Sequence, residues 1–254
     1  MSGAPDGTRI AMWSGPRNIS TALMRSWEAR GDTAVVDEPF YAHYLATTGA
    51  EHPGREEVVE VHETDWRAVV ERLVGPVPGG KRIFYQKHMA HHLLPGMEGR
   101  WLERLSHAFL IRDPREMLTS LIRVTPDPSL ADTGLPQQVR LFRRVQSRTG
   151  QTPPVIDARD VLEDPPGILE RLCAALGVPY TDRMLTWEPG RRDTDGIWAK
   201  HWYGSVERST GFEPRRPKPD RVPDRLSGVL SACRERYDEL RAHRLTADEG
   251  DRAP

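Results

Sequence analysis

Arg17, Ser20 and Thr21 lie in the run Arg9-Ile10-Ala11-Met12-Trp13-Ser14-Gly15-Pro16-Arg17-Asn18-Ile19-Ser20-Thr21-Ala22-Leu23-Met24, where an apolar strand passes through a small-residue turn directly into a helix. Backbone N–H groups of such a turn, with the free amides and positive dipole end of the helix, converge on one point that suits an anion. Arg17 adds a permanent positive charge, and Ser20 and Thr21 add hydroxyl donors. The run departs from the phosphate-loop pattern G-x-x-x-x-G-K-[ST], because Ile19 and Ser20 stand where Gly and Lys belong. The basic side chain comes earlier, so Arg17 reaches an anion from the side of the loop. A second run, Ala108-Phe109-Leu110-Ile111-Arg112-Asp113-Pro114-Arg115-Glu116-Met117-Leu118-Thr119-Ser120, reads as a buried parallel strand followed by a helix. Asp113 is its N-cap and Pro114 its first residue. Arg112 then ends the strand, and Ser120, about two turns into the helix, faces back toward whatever Arg112 contacts.

These two runs resemble the sulfotransferases. Pro16-Arg17-Asn18-Ile19-Ser20-Thr21 is similar to that family's 5′-phosphosulfate loop, approximately Pro-Lys-Ser-Gly-Thr-Thr, and Arg112 to Ser120 fits its pattern R-x-P-x-x-x-x-x-S without a gap. The resemblance implies that Pro16 to Thr21 hold the 5′ end of 3′-phosphoadenosine 5′-phosphosulfate, and that Arg112 and Ser120 grip its 3′-phosphate. The product would be adenosine 3′,5′-bisphosphate. A third likeness runs from Ala158-Arg159-Asp160-Val161-Leu162 to Leu176-Gly177-Val178-Pro179, although Ala158 stands where the family often has an adenine-contacting Tyr. That stretch also reads as a capped helix ended by Gly177 and Pro179. Ser205 to Phe212, with Arg208, corresponds to the family's loop over the nucleotide.

Sulfuryl transfer to a hydroxyl needs a proton acceptor. His88, in Arg82-Ile83-Phe84-Tyr85-Gln86-Lys87-His88-Met89, ends a strand much as the catalytic His does in sulfotransferases that read Lys-Thr-His. Lys87 could turn to the bridging oxygen, but alternation along a strand sends neighbouring side chains to opposite faces. Glu38, in Val35-Val36-Asp37-Glu38-Pro39, resembles the carboxylate base of some bacterial sulfotransferases that act on sugars. An imidazole near about 6.5 is better poised than a carboxylate near about 4.3 unless burial raises the latter, so His88 is preferred and Glu38 orients the acceptor. A transferring sulfuryl group carries less negative charge than a phosphoryl group, so no metal is expected. His88, His91 and His92 lack the carboxylate or Cys spacing of a metal site. Trp198, His201, Trp202 and Tyr203 either wall a substrate pocket or anchor a lid. Two other readings stay open: an ATP- and magnesium-dependent kinase, and an inactive nucleotide-binding protein.

The elements that must position these residues alternate strand and helix. Strands are expected near 9–13, 34–36, 82–86, 108–111 and 155–157, and helices near 20–30, 66–73, 115–123, 135–148, 168–176 and 223–241. This predicts a three-layer α/β/α fold with a mostly parallel central sheet, P-loop NTPase-like, in which ligands bind beyond the carboxyl ends of the strands. Residues 47–64 and 187–219, rich in Gly, Pro and charge, are expected to be loops or lids, and they would hold the specificity for a small-molecule hydroxyl acceptor. A chain of 254 residues suits one α/β domain, with flexible tails at 1–7 and 246–254. The net charge of -1 gives no general field for nucleic acid or an anionic membrane. Cys173 and Cys233 sit in apolar helical contexts and read as packing residues of a protein in a reducing compartment. No run approaches the ~20 apolar residues of a membrane span, and Met1 to Thr8 lacks an apolar leader, so a cytoplasmic protein is expected.

Overall fold

The computed structural model describes residues 7–214 and 221–246. The tails expected at 1–7 and 246–254, save Gly7 and Thr246, and the end of the lid at 215–219 lie outside the described residues. Strands β1 (Thr8–Ser14), β2 (Thr33–Asp37), β3 (Ile83–Met89), β4 (Ser106–Ile111) and β5 (Val155–Asp157) form one sheet in the order β2-β3-β1-β4-β5. Every pairing is parallel, with Trp13 beside His88 on one side and Phe109 on the other. Parallel strands are covered on both faces, and β3 is buried along its whole length.

Alternation sorts the strand side chains into two cores. Ala11, Trp13, Phe84, Phe109 and Ile111 face α4 (Trp66–Val74), α6 (Leu135–Thr149) and α10 (Ser227–Arg241). Ile10, Met12, Tyr85, Ala108 and Leu110 face α1 (Ser20–Ala29) and α8 (Pro165–Ala175). The three-layer expectation is met. Helix starts follow local capping: Asp113 accepts from the Arg115 and Glu116 amides at the head of α5 (Pro114–Leu121), and Asp157 accepts from the Arg159 amide at the head of α7 (Ala158–Glu163). Each such cap is worth about 1 kcal/mol.

Three expectations need correction. β3 runs to Met89 rather than Gln86, because Lys87 and His88 both find buried partners and keep the extended ladder going. Residues 47–64 are not all loop, since α3 (Arg55–Val61) buries Val58 against α2 (Tyr41–Thr48). Within the supposed lid, α9 (Ala199–Trp202) and its flanks pack Trp198, Ala199 and Tyr203 onto α2 and α3 as a small third core. Among the described residues, no helix is long and apolar enough to cross a membrane.

Trp13 of β1 lies between two neutral imidazoles, His88 of β3 and His107 of β4. Trp13 lies on His88 with ring centroids 4.2 Å apart, and its indole N–H donates to His107 Nδ1 at 3.0 Å. The other His107 nitrogen bonds the Leu102 carbonyl at 2.8 Å. Burial pushes His88 down to about 3 and His107 down to about 4. In the unfolded chain these rings take up protons near about 6.5, so the unfolded state binds more protons between that value and about 4, and folding free energy is lost as pH falls. The melting temperature is therefore expected to drop between about pH 6.5 and about pH 4, and His107→Gln should flatten that fall. A wild-type melting temperature constant across this window would contradict the neutral-imidazole core.

Candidate active site

The loop between β1 and α1 is shaped by two close approaches. A Cβ on Gly15 would sit 2.4 Å from the Thr133 carbonyl oxygen, so only glycine fits against the short helical turn Ala131–Thr133. Gln138, on α6, has its amide oriented to accept from the Gly15 N–H at 3.0 Å and to donate to the Leu110 carbonyl at 3.2 Å. Asn18 donates to the same Leu110 carbonyl at 3.3 Å, and its side-chain oxygen accepts from the Ile19 amide at 2.9 Å. Arg17 between them holds φ at 56°, a left-handed conformation that costs a side-chain-bearing residue about 1 kcal/mol or more. Ile19 precedes α1 with no side-chain cap, and Ser20 is buried at its first position.

This strained turn brings the two predicted anion elements together. The Arg17 Nε donates to Ser120 Oγ at 2.9 Å, and Arg112 donates to the Arg17 carbonyl at 2.8 Å. Arg112 also reaches Glu116 Oε2 at 3.2 Å, one helical turn before Ser120, which neutralises part of its charge. Arg123 adds a third guanidinium whose field reaches Arg17. Burial, then Arg112, then Arg123 hold the Arg17 pKa below its ordinary value. Like charges crowded at a half-buried point repel unless an anion joins them, which is the electrostatics of an anion site. Arg123 lay at the end of an expected helix, and its spacing of three from Ser120 was the available signal. Gln138 gave none, since its partners lie far off in sequence.

Arg208 is exposed in the turn Val206–Arg208, and no described contact links it to the Arg17 group. Ala158 is buried at the head of α7, within the core under α1 and α8.

Beyond the ends of β2 and β3 lies a buried charge cluster. The Lys87 ammonium donates to Asp37 Oδ1 at 2.8 Å, Glu38 Oε1 at 2.6 Å and the Tyr203 hydroxyl at 2.7 Å. Asp37 Oδ2 accepts from the Tyr203 hydroxyl at 2.7 Å and the Gly196 amide at 3.1 Å, so residues 196–203 are tied to the sheet. An ammonium has three donors, and all are spent here. Lys87 is thus a structural hub, and turning it toward a bridging oxygen would leave two carboxylates buried without a counter-charge.

The order of the two candidate bases changes for a related reason. His88 lies on the opposite face of β3 from Lys87, between Trp13 and Phe40, with Nε2 toward Gln86 Oε1 at 3.2 Å, and it is 1% exposed. Its ring is neutral but enclosed. Glu38 keeps its side chain 12% exposed and holds φ at 41°. Arg17 and Glu38 are the two described non-glycine residues with positive φ, and strained backbone gathers at functional sites. Burial raises the Glu38 pKa, opposed by Lys87 and assisted by Asp37. Glu38 connects to the loop through His92, whose Nδ1 lies 3.8 Å from Glu38 Oε2, and His91, whose Nδ1 lies 3.5 Å from where a Gly134 Cβ would stand against Gly15 and Pro16. Among the described residues, no group of His, Cys, Asp and Glu is placed to hold a metal ion.

The profile of the sulfotransferase domain family matches residues 8–243. Two curated Arabidopsis thaliana proteins are similar to this chain: branched-chain-amino-acid aminotransferase-like protein 1, 38% identical over 92% of this chain and 42% of its own length, and the like-named protein 2, 35% identical over 92% of this chain and 41% of its own. The chain thus spans about two fifths of these relatives. A crystal structure of a sulfotransferase from Alicyclobacillus acidocaldarius shares the fold, with a TM-score of 0.55 and 16% identity over 94% of this chain and 97% of that one.

Replacing Lys87 with Met strands Asp37 and Glu38 in the interior, and removing one partner of a buried pair costs about 3 to 5 kcal/mol. Urea unfolding of Lys87→Met should show a loss of that size. A loss below about 1 kcal/mol, the range of exposed pairs, would refute the hub.

Proposed function

The chain belongs to the sulfotransferase domain family, and from that premise we propose that it transfers a sulfuryl group from 3′-phosphoadenosine 5′-phosphosulfate to the hydroxyl of a small molecule. The observation that carries this reading is the bond from Arg17 to Ser120, with Arg112 on the Arg17 carbonyl. It joins the Pro16 to Thr21 loop to the Arg112 to Ser120 segment, 95 residues apart in sequence, as a single ligand with phosphates at both ends would require. Strand order supports it as well, because β1 and β4 are neighbours and Arg17 and Arg112 leave their carboxyl ends. In a parallel sheet that is where ligands bind.

In this reading Pro16 to Thr21 receive the 5′-phosphosulfate, with Arg17, the Ser20 and Thr21 hydroxyls and the first amides of α1 neutralising it. Arg112 and Ser120 take the 3′-phosphate, with Glu116 holding the Arg112 fork in position. Arg208, exposed in the turn Val206–Arg208, would contact the nucleotide from the loop over it, and adenine recognition rests on residues other than the buried Ala158.

The reaction is an in-line displacement. The acceptor oxygen forms a bond to sulfur while the bond from sulfur to the 5′-phosphate oxygen breaks, and the electron pair leaves on adenosine 3′,5′-bisphosphate. Arg17 and the helix amides stabilise that leaving charge, a positioning and electrostatic role of the kind that dominates phosphoryl transfer. Glu38 takes the acceptor proton. Its raised pKa brings a carboxylate toward the working range of a base, and Lys87 holds it through one oxygen while the other remains available.

A thermal-shift titration tests the donor. Adenosine 3′,5′-bisphosphate at about 100-fold over its Kd should stabilise the fold by about 2.7 kcal/mol, whereas a larger shift with ATP and magnesium would favour a kinase. Arg17→Ala should abolish turnover, and Arg112→Ala should chiefly weaken the 3′-phosphorylated nucleotide. Equal affinity for adenosine 5′-phosphosulfate and its 3′-phosphorylated form would contradict the role of Arg112. Glu38→Gln is expected to lower kcat by about 100-fold or more at nearly unchanged melting temperature. His88→Asn should act mainly on stability, and the reverse outcome would restore His88 as the base. A stable protein that binds the bisphosphate and never consumes donor would be the inactive alternative.

A further inference from the structure

Glu38 presents its two oxygens to different surroundings. Oε1 is fixed by the Lys87 ammonium at 2.6 Å. Oε2 faces His92 Nδ1 at 3.8 Å, too far for a hydrogen bond. The His92 ring is held by stacking on Tyr41 and Tyr44, with centroids 4.8 and 4.7 Å away. It is 2% exposed, and Nδ1 is buried with no hydrogen-bond partner among the described residues. A buried nitrogen left unpaired is unfavourable, and the fold fixes this one beside a carboxylate oxygen.

An ionised carboxylate only accepts hydrogen bonds, and a protonated one donates. In the tautomer with its proton on Nε2, the Nδ1 of His92 is likewise only an acceptor. The two face each other unbonded while Glu38 is ionised. Once Oε2 carries a proton, a turn about the soft terminal torsion of Glu38 closes the gap. We propose that His92 is a positioning residue for Glu38, its Nδ1 accepting the hydrogen bond that Oε2 can donate only after Glu38 has taken the acceptor's proton. The inference rests on the sulfotransfer reading above. No charge moves to His92: the acceptor O–H bond breaks, the proton lies on Oε2, the new O–S bond forms, and the proton leaves to solvent from Glu38 after the products depart.

The other titratable groups around the pair set its background. Lys87 from β3 favours ionised Glu38, and Asp37 from β2 disfavours it, as does burial. Tyr41 from α2 and Tyr203 from the lid both feel the Glu38 charge. His92 is kept neutral by burial first, then by His91, His52, Lys87 and His88. Neutrality matters, because an imidazolium would have no lone pair at Nδ1 to offer.

The test is a carbon-13 NMR titration of the Glu38 carboxyl in the full chain, its signal assigned by its loss in Glu38→Gln. His92→Phe keeps a flat ring between the two tyrosines and removes the nitrogen. Its Glu38 midpoint should fall by about one pH unit, the worth of one neutral hydrogen bond to the protonated form, and the acidic limb of kcat/KM should move with it. His92→Asn should recover part of that shift. Coincident midpoints in wild type and His92→Phe would overturn the positioning role of His92 alone. Full turnover in Glu38→Gln would overturn the base assignment and the positioning role of His92 together. Should His92→Phe fail to fold, nitrogen-15 spectra of the wild-type ring decide the matter: an unprotonated Nδ1 at pH 7 is expected, and a proton there sinks the proposal.

Discussion

A single ammonium holds the carboxyl ends of β2 and β3 and the segment 196–203 together. Lys87 points from the fully buried strand β3 into a space where its partners are Asp37, Glu38 and Tyr203. Each comes from a different piece of chain: the end of β2, the strained residue after it, and the segment 196–203. A charge so deep is tolerable only if every donor is satisfied, and that requirement fixes all three pieces at once. The lid is therefore attached to the sheet by the same group that holds the Glu38 carboxylate. Aromatic packing of Trp198 and Tyr203 on α2 and α3 completes the attachment.

The carboxyl ends of β1 and β4 follow the opposite logic. Arg17, Arg112 and Arg123 gather positive charge, and the carboxylate seen with them, Glu116, bonds Arg112 rather than Arg17. Charge at Lys87 is compensated internally and builds structure; the Arg17 guanidinium is instead bonded to a hydroxyl and crowded by like charges. The strained turn makes this possible, since Arg17 in the left-handed region turns its carbonyl to Arg112 and its guanidinium to Ser120. Glu38 is strained in the same sense at the other end, and the two strained residues flank the stretch from the loop through His91 and His92.

Much of this was legible in the sequence. The five strands lie close to where apolar runs and turn signals put them, because a parallel sheet buried on both faces leaves little freedom of composition. Arg17, Arg112 and Ser120 could be singled out since strand-turn-helix segments carry local capping and turn chemistry that survives in one dimension. The packed helix at 55–61 was missed because its stability comes from burying Val58 against α2, and a stretch rich in Gly, Pro and charge hides that contact.

By itself, then, the sequence determined the layers, the parallel sheet and the two strand-turn-helix segments that carry Arg17 and Arg112, which are properties of short segments and of hydrophobic period. Only the tertiary structure decided that the arginines share one point, that Lys87 is a hub with no donor to spare, and that His88 is enclosed while Glu38 is reachable. Those outcomes depend on which face of β3 each side chain takes and on what distant chain arrives there. Gln138 reaching Gly15, Tyr203 reaching Asp37 and His92 reaching toward Glu38 are meetings across 123, 166 and 54 residues, and no local pattern encodes them.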